Sequence, residues 1–227
     1  MFTLTAILKR LPYRVTRVTL VSLLLAAATT SFAQQGVRKL DPPQPVMESG
    51  IVEVIEFFAY GCGGCAAIDG PFDDWAKKQP KDVKIRRVPS PTPVAGVDSA
   101  TLYYTLESMG QLKRLHAAIF NGIHVEKQML GHGPTLLKWL EKNGVDPARY
   151  NLMRTSFSTL TKINSAGKMA EDYRVASTPT FVVQGRVAIS PTSRSVAELF
   201  GRIDKAIAEA RTVATKRERG VGSRVAI

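Results

Sequence analysis

"IVEVIEFFAYGCGGCAAIDG", residues 51–70, decides how the rest of the chain is read. Its first ten residues are rich in Ile, Val and Phe, which predicts a buried strand. Both cysteines of the chain, Cys62 and Cys65, follow at once, separated by Gly63 and Gly64. A helix is expected to begin near Cys62 and to run through "CAAIDGPFDDWAKK", bent at Gly70-Pro71. "VKIRRV" (83–88) reads as a second strand. Residues 51–88 then form a βαβ unit with the cysteine pair at its first strand-to-helix turn.

The N-terminus bears on what such a pair can be. Four basic residues, Lys9, Arg10, Arg14 and Arg17, lead into the apolar run "VTLVSLLLAAATTSFA". That pattern predicts a secretory signal over residues 1–33, with the mature chain starting at Gln34 after Ala33. The run is short for a membrane span. Outside the cytosol two cysteines can persist as a disulfide. As a staple the pair would be weak, because closing so short a loop restricts the unfolded chain little. As a zinc site it lacks a second Cys or His pair at short spacing. His116, His124 and His132 recur every eight residues and are expected to be surface or satisfied residues of a helical block, not ligands. Redox chemistry is the use of Cys62 and Cys65 that keeps a mechanism.

The chain has 227 residues and a formal net charge of +12. Residues 1–33 carry +4 and residues 211–227 another +4, leaving +4 for the body of the protein. No basic stripe with interleaved aromatics is present, so nucleic acid is not an expected partner.

Outward from the quoted stretch, residues 34–49 read as an extended lead-in with Pro42, Pro43 and Pro45. "PSPTPVAG" (89–96) ends the βαβ unit, and from about 97 to 175 only helix signals appear. Pro134 near the start and Gly144 beyond the end of "PTLLKWLEKNG" give one helix the expected asymmetry. "TFVVQG" and "RVAIS" (180–190) predict a hairpin around Gln184-Gly185. "SVAELFGRIDKAIAEA" (195–210) is an amphipathic closing helix, and the basic tail beyond is expected to be loose. Trp75 and Trp139 are expected to pack, as are Phe57, Phe58 and Phe181.

The attacking species in disulfide exchange is the thiolate. Cys62 would sit at a helix N-terminus, where unpaired N–H groups and the helix dipole lower a thiol pKa. Cys65, one turn further in, suits the resolving role.

"EFFAYGCGGC" and "STPTFVV" (177–183), with the helical block between them, resemble the DsbA family of periplasmic thiol:disulfide oxidoreductases. The likeness covers roughly residues 40–210. It implies an α/β thioredoxin fold interrupted by an all-helical insertion: residues 34–94 and 168–212 in the thioredoxin part, 95–167 in the insertion, 213–227 a basic tail. It further implies that Thr178-Pro179 is a cis peptide bond facing the cysteines, X-Pro being the common site of that geometry. A substrate strand could then pair with the backbone of Thr178 beside Cys62. Gly63, Gly64 and Tyr60 are placed on the same substrate side, Tyr60 as an exposed neighbour of Cys62. Glu56 is odd in a buried strand, since a buried carboxylate is costly unless paired or protonated. The resemblance implies that it moves a proton to or from Cys65, with Arg87 as its basic partner. Family members commonly carry Pro-His where this chain has Gly63-Gly64, so the Cys62 pKa is expected below about 8.5 but less depressed than in the strongest oxidants.

The expected protein is therefore an exported, monomeric thiol:disulfide oxidoreductase acting in the periplasm, without cofactor or metal. It passes its disulfide to folding exported proteins with free cysteines and is reoxidised by a DsbB-like membrane quinone reductase. A reductase or isomerase using the same dithiol, a peptide-binding chaperone and a copper-binding protein are the alternatives.

Overall fold

Five strands form one sheet: β1 (Val37–Lys39), β2 (Val52–Phe58), β3 (Val83–Pro89), β4 (Thr180–Val183) and β5 (Val187–Ile189), in the order β1-β5-β4-β2-β3. The computed structural model describes residues 36–222 apart from Met47, Ser49 and Arg194, with side chains as far as Val213. The leader expected over residues 1–33, and its cleavage point, lie outside the described residues.

β2 is buried along its whole length, as a central strand covered on both faces must be. It runs parallel to β3, which places Glu56 level with Arg87, and antiparallel to β4. The β2–β3 crossover is α1 (Gly63–Lys77), a single helix that continues through Pro71. Between β3 and β4 lie α2 (Ser99–Ser108), α3 (Leu112–His124), α4 (Gly133–Lys142), α5 (Pro147–Arg154) and α6 (Phe157–Asp172). The closing helix, α7 (Val196–Gly222), is longer than the sequence suggests and carries part of the tail that was expected to be loose.

Three apolar clusters hold these parts. On one face of the sheet, Phe72 and Trp75 of α1 and Leu199, Phe200 and Ile203 of α7 cover Val54, Phe181 and Val183. Phe72 is the hub, with ring centroids 5.5 Å from Trp75 and 5.1 Å from Phe181. Burying an aromatic ring of this kind contributes about 1.5–3 kcal/mol. On the other face, Ala166 of α6 and Tyr173 just after it pack on Ile55, Phe57 and Val182. The third cluster fills the helical block with Leu106, Leu115, Ile119, Phe120, Trp139 and Leu140. Phe58, Tyr60 and Cys65 belong to this third cluster. The cysteine pair therefore sits at the seam between sheet and helical block.

β1 was not evident in the sequence. It pairs antiparallel with β5 at the sheet edge, Val37 opposite Ile189. The hairpin turn between β4 and β5 carries positive φ at both Gln184 (51°) and Gly185 (59°). Asn, Gly and similar residues are usual in such turns, and Gln184 holds its place by accepting the Glu53 backbone N–H on its side chain at 2.8 Å.

Candidate active site

β2 ends at Phe58, and the chain turns through Ala59–Gly61 into α1. Cys62 is the N-cap residue of α1, with extended backbone (φ −84°, ψ 115°). Its Sγ takes the place of a capping Ser or Asp oxygen, accepting the Cys65 backbone N–H at 3.2 Å. The Cys62 thiol also donates to the Thr178 carbonyl at 3.3 Å. The Thr178–Pro179 peptide bond is cis. Two segments far apart in sequence thus meet at one sulfur.

Gly64 lines the same meeting point. A Cβ added there would lie 3.3 Å from Pro179 Cδ and 3.8 Å from Cys62 Sγ. Absence of a side chain leaves the sulfur open between Gly64 and Pro179. On the Gly64 side a cleft of about 330 Å³ is lined by Ala67, Ile68, Pro191, Val196 and Leu199. On the Thr178 side another, of about 250 Å³, lies between Ser90–Thr92 and Val175–Thr178.

The two thiols differ in setting. Cys62 is half-buried and Cys65 fully buried. The Cys65 thiol has the largest influence in lowering the Cys62 pKa to about 5. Burial opposes that shift, while the Thr178 hydroxyl and the N–H groups of Cys65 and Gly64 add to it. The same pairing pushes the Cys65 thiol upward, with burial adding to it. One sulfur is set up to carry the charge and the other to keep its proton.

Beneath Cys65 lies a buried charge cluster. Glu56 is 2% exposed and accepts from Arg87 Nε at 2.9 Å. Burial raises the Glu56 carboxyl to about 7; Arg87 opposes this, while Asp69 and Asp73 push it further up. Glu56 in turn helps to raise the Cys65 thiol through its charge. A second Arg87 nitrogen, Nη2, reaches both Asp69 (3.1 Å) and Asp73 (2.9 Å). The guanidinium also lies over the Phe72 ring, 5.1 Å from its centroid.

The structure brings Glu56, Arg87, Cys62, Cys65, Gly63, Gly64, Thr178 and Pro179 to one locality and removes Tyr60 from its exposed side. Tyr60 is fully buried under the helical block. Its N–H donates to Ser99 Oγ (2.8 Å), its carbonyl accepts from His124 Nε2 (2.7 Å), and its hydroxyl meets His116 Nδ1 (2.8 Å). The reason is local: Phe58 and Phe120 clasp its ring at 5.2 and 5.1 Å, and no face is left for a substrate. Asp69 is the functional candidate the sequence reading missed. The available signal was its place four residues after Cys65, on the same face of α1. Among the described residues, no three His, Cys, Asp or Glu side chains converge as a metal site would require.

A family model described as the DSBA-like thioredoxin domain matches residues 92–201. The thiol:disulfide interchange protein DsbA of Bordetella pertussis is 37% identical over 168 residues, covering 74% of this chain and 80% of that protein. Its counterpart of the same name in Pseudomonas aeruginosa is 34% identical over 148 residues, covering 65% and 70%. The crystal structure of Pseudomonas aeruginosa DsbA matches with a TM-score of 0.70 at 31% identity, over 80% of this chain and 94% of that one.

Proposed function

Because the chain belongs to the DsbA family of thiol:disulfide oxidoreductases, we propose that Cys62 and Cys65 are its redox couple and that it donates their disulfide to exported proteins. The observation that carries the direction is the asymmetry of the pair. Donors at the start of α1 favour the Cys62 thiolate, so the reduced enzyme is stabilised and the oxidised one is a good oxidant.

A substrate thiolate attacks Cys62 Sγ of the disulfide. A substrate–Cys62 bond forms, the Cys62–Cys65 bond breaks, and its electron pair leaves on Cys65. Buried Cys65 takes up a proton, for which Glu56 is the nearby acid. A second substrate thiolate then attacks the substrate sulfur of the mixed disulfide, forming the substrate disulfide and releasing the Cys62 thiolate. Two electrons have passed from substrate to enzyme. The paired clefts beside Gly64 and Thr178 give the substrate chain a path across Cys62. The protein works in the periplasm after loss of residues 1–33, and a DsbB-like membrane quinone reductase restores the disulfide.

Trapping tests the reading. With Cys65→Ala, substrates oxidised by the enzyme are expected to accumulate as mixed disulfides at Cys62, resolved by reductant on a denaturing gel. Persistence of substrate oxidation in Cys62→Ala would sink the assignment of the nucleophile. A protein that only suppresses aggregation, equally well without either thiol, would be a chaperone and not an oxidoreductase.

A further inference from the structure

His116 lies on α3, in the helical block, yet its ring is built into the charge cluster of the other half. It is 8% exposed. Nδ1 meets the Tyr60 hydroxyl at 2.8 Å and Nε2 meets Asp69 Oδ1 at 3.1 Å. The rings of Phe58, Phe120 and Tyr103 stand edge-on to it at 5.3, 5.4 and 6.1 Å, which fixes its plane. Both ring nitrogens are therefore satisfied, and by groups that lead in one direction. Asp69 Oδ1 receives Arg87 as well as His116. Arg87 in turn holds Glu56. A continuous line of contacts runs from Tyr60 through His116, Asp69 and Arg87 to Glu56, the acid under Cys65.

We propose that His116 is a positioning residue for the thiol chemistry: by bridging Tyr60 and Asp69 it fixes the share of Arg87 that Glu56 receives. This rests on the oxidoreductase reading above. The argument is one of competition. Arg87 serves three carboxylates, Glu56, Asp69 and Asp73. Asp69 is satisfied partly by His116; without that donor its charge falls on Arg87 alone. The guanidinium is then drawn toward Asp69 and Asp73, and Glu56 keeps less of its cationic partner. A buried carboxylate that loses such a partner ionises less readily. The groups facing His116 are Tyr60 from the end of β2, Asp69 from α1 and Tyr103 from α2; behind Asp69 stand Arg87, Glu56 and Asp73. The helical block thereby reaches the proton donor of a reaction that occurs in the other half of the fold.

The test is the pH profile of disulfide exchange between glutathione and the oxidised full chain, for wild type, His116→Leu, His116→Gln, Tyr60→Phe and Glu56→Gln. The limb of the profile that Glu56→Gln abolishes is expected to move to higher pH in His116→Leu, by up to about one pH unit, or tenfold in proton affinity. Tyr60→Phe, which removes only the hydroxyl behind Nδ1, is expected to move it the same way by less. His116→Gln, which can still donate to Asp69, is expected to restore much of it. In the Glu56→Gln background, His116→Leu is expected to add nothing. Limbs that superimpose on wild type in both Tyr60→Phe and His116→Leu would overturn the proposal while leaving the enzyme reading intact. If His116→Leu does not fold, a limb in Tyr60→Phe that superimposes on wild type overturns it. A wild type that exchanges no disulfide overturns the reading on which it rests.

Discussion

Replacing Cys65 with Ala isolates the main support of the Cys62 thiolate. Cys62 sits at a pKa lowered to about 5, with the Cys65 thiol as the largest cause. The substitution deletes that donor and spares the backbone N–H of residue 65, which meets Cys62 Sγ at 3.2 Å, along with Gly64 N–H and the Thr178 hydroxyl. A hydrogen bond to a charged acceptor contributes about 1.5–3 kcal/mol, or roughly one to two pKa units at about 1.4 kcal/mol each. The Cys62 pKa in Cys65→Ala is thus expected at about 6–7, still below the free-thiol value of about 8.5. Ultraviolet thiolate absorbance against pH, checked by alkylation rate, reads it directly. A midpoint still near 5 would mean that Cys65 is not the donor. A midpoint near that of free cysteine would mean that the helix start contributes nothing. The sign carries over to folding. A thiol whose folded pKa is depressed adds stability that is complete above its unfolded pKa and lost as pH falls through the folded one. Reduced wild type should therefore gain stability over reduced Cys62→Ala between about pH 5 and 8.5.

Two further substitutions probe the site. Glu56, raised to about 7 from 4.5 by burial, loses stability for the fold as pH rises from 4.5 through 7. Glu56→Gln should remove that loss, about 3 kcal/mol at roughly 1.4 kcal/mol per tenfold change in acidity, and flatten the pH dependence of exchange; parallel denaturation midpoints against pH would contradict this. Gly64→His would place a donor beside Cys62, with Pro179 Cδ needing to yield slightly at 3.3 Å. The Cys62 pKa should fall by about one unit and the potential rise by about 30 mV, one decade of a two-electron equilibrium; an unchanged potential in a redox titration would show that Gly63-Gly64 does not set it.

Much of this was legible in the sequence because the signals are local. The apolar run of β2, the cysteine spacing and the turn at Gln184-Gly185 each declare themselves within a few residues. β1 did not, since Val37–Lys39 is three exposed residues long and is defined only by its pairing with β5. The basic tail read as solvated, yet Ala, Arg, Lys and Glu are good helix formers and α7 runs on to Gly222. Tyr60 was misplaced because its burial depends on α3, whose residues lie more than fifty positions away. Glu56 and Arg87 were reached through family resemblance and are level in the β2–β3 register. The Asp69–His116 contact spans 47 positions and leaves no local pattern.

The most direct test of the central claim is the equilibrium of Cys62–Cys65 against a glutathione redox series, on protein starting at Gln34. A disulfide donor is expected to lie above about −180 mV, toward the roughly −120 mV of DsbA. A value near the roughly −270 mV of thioredoxin would contradict it and make the same cysteine pair that of a reductase.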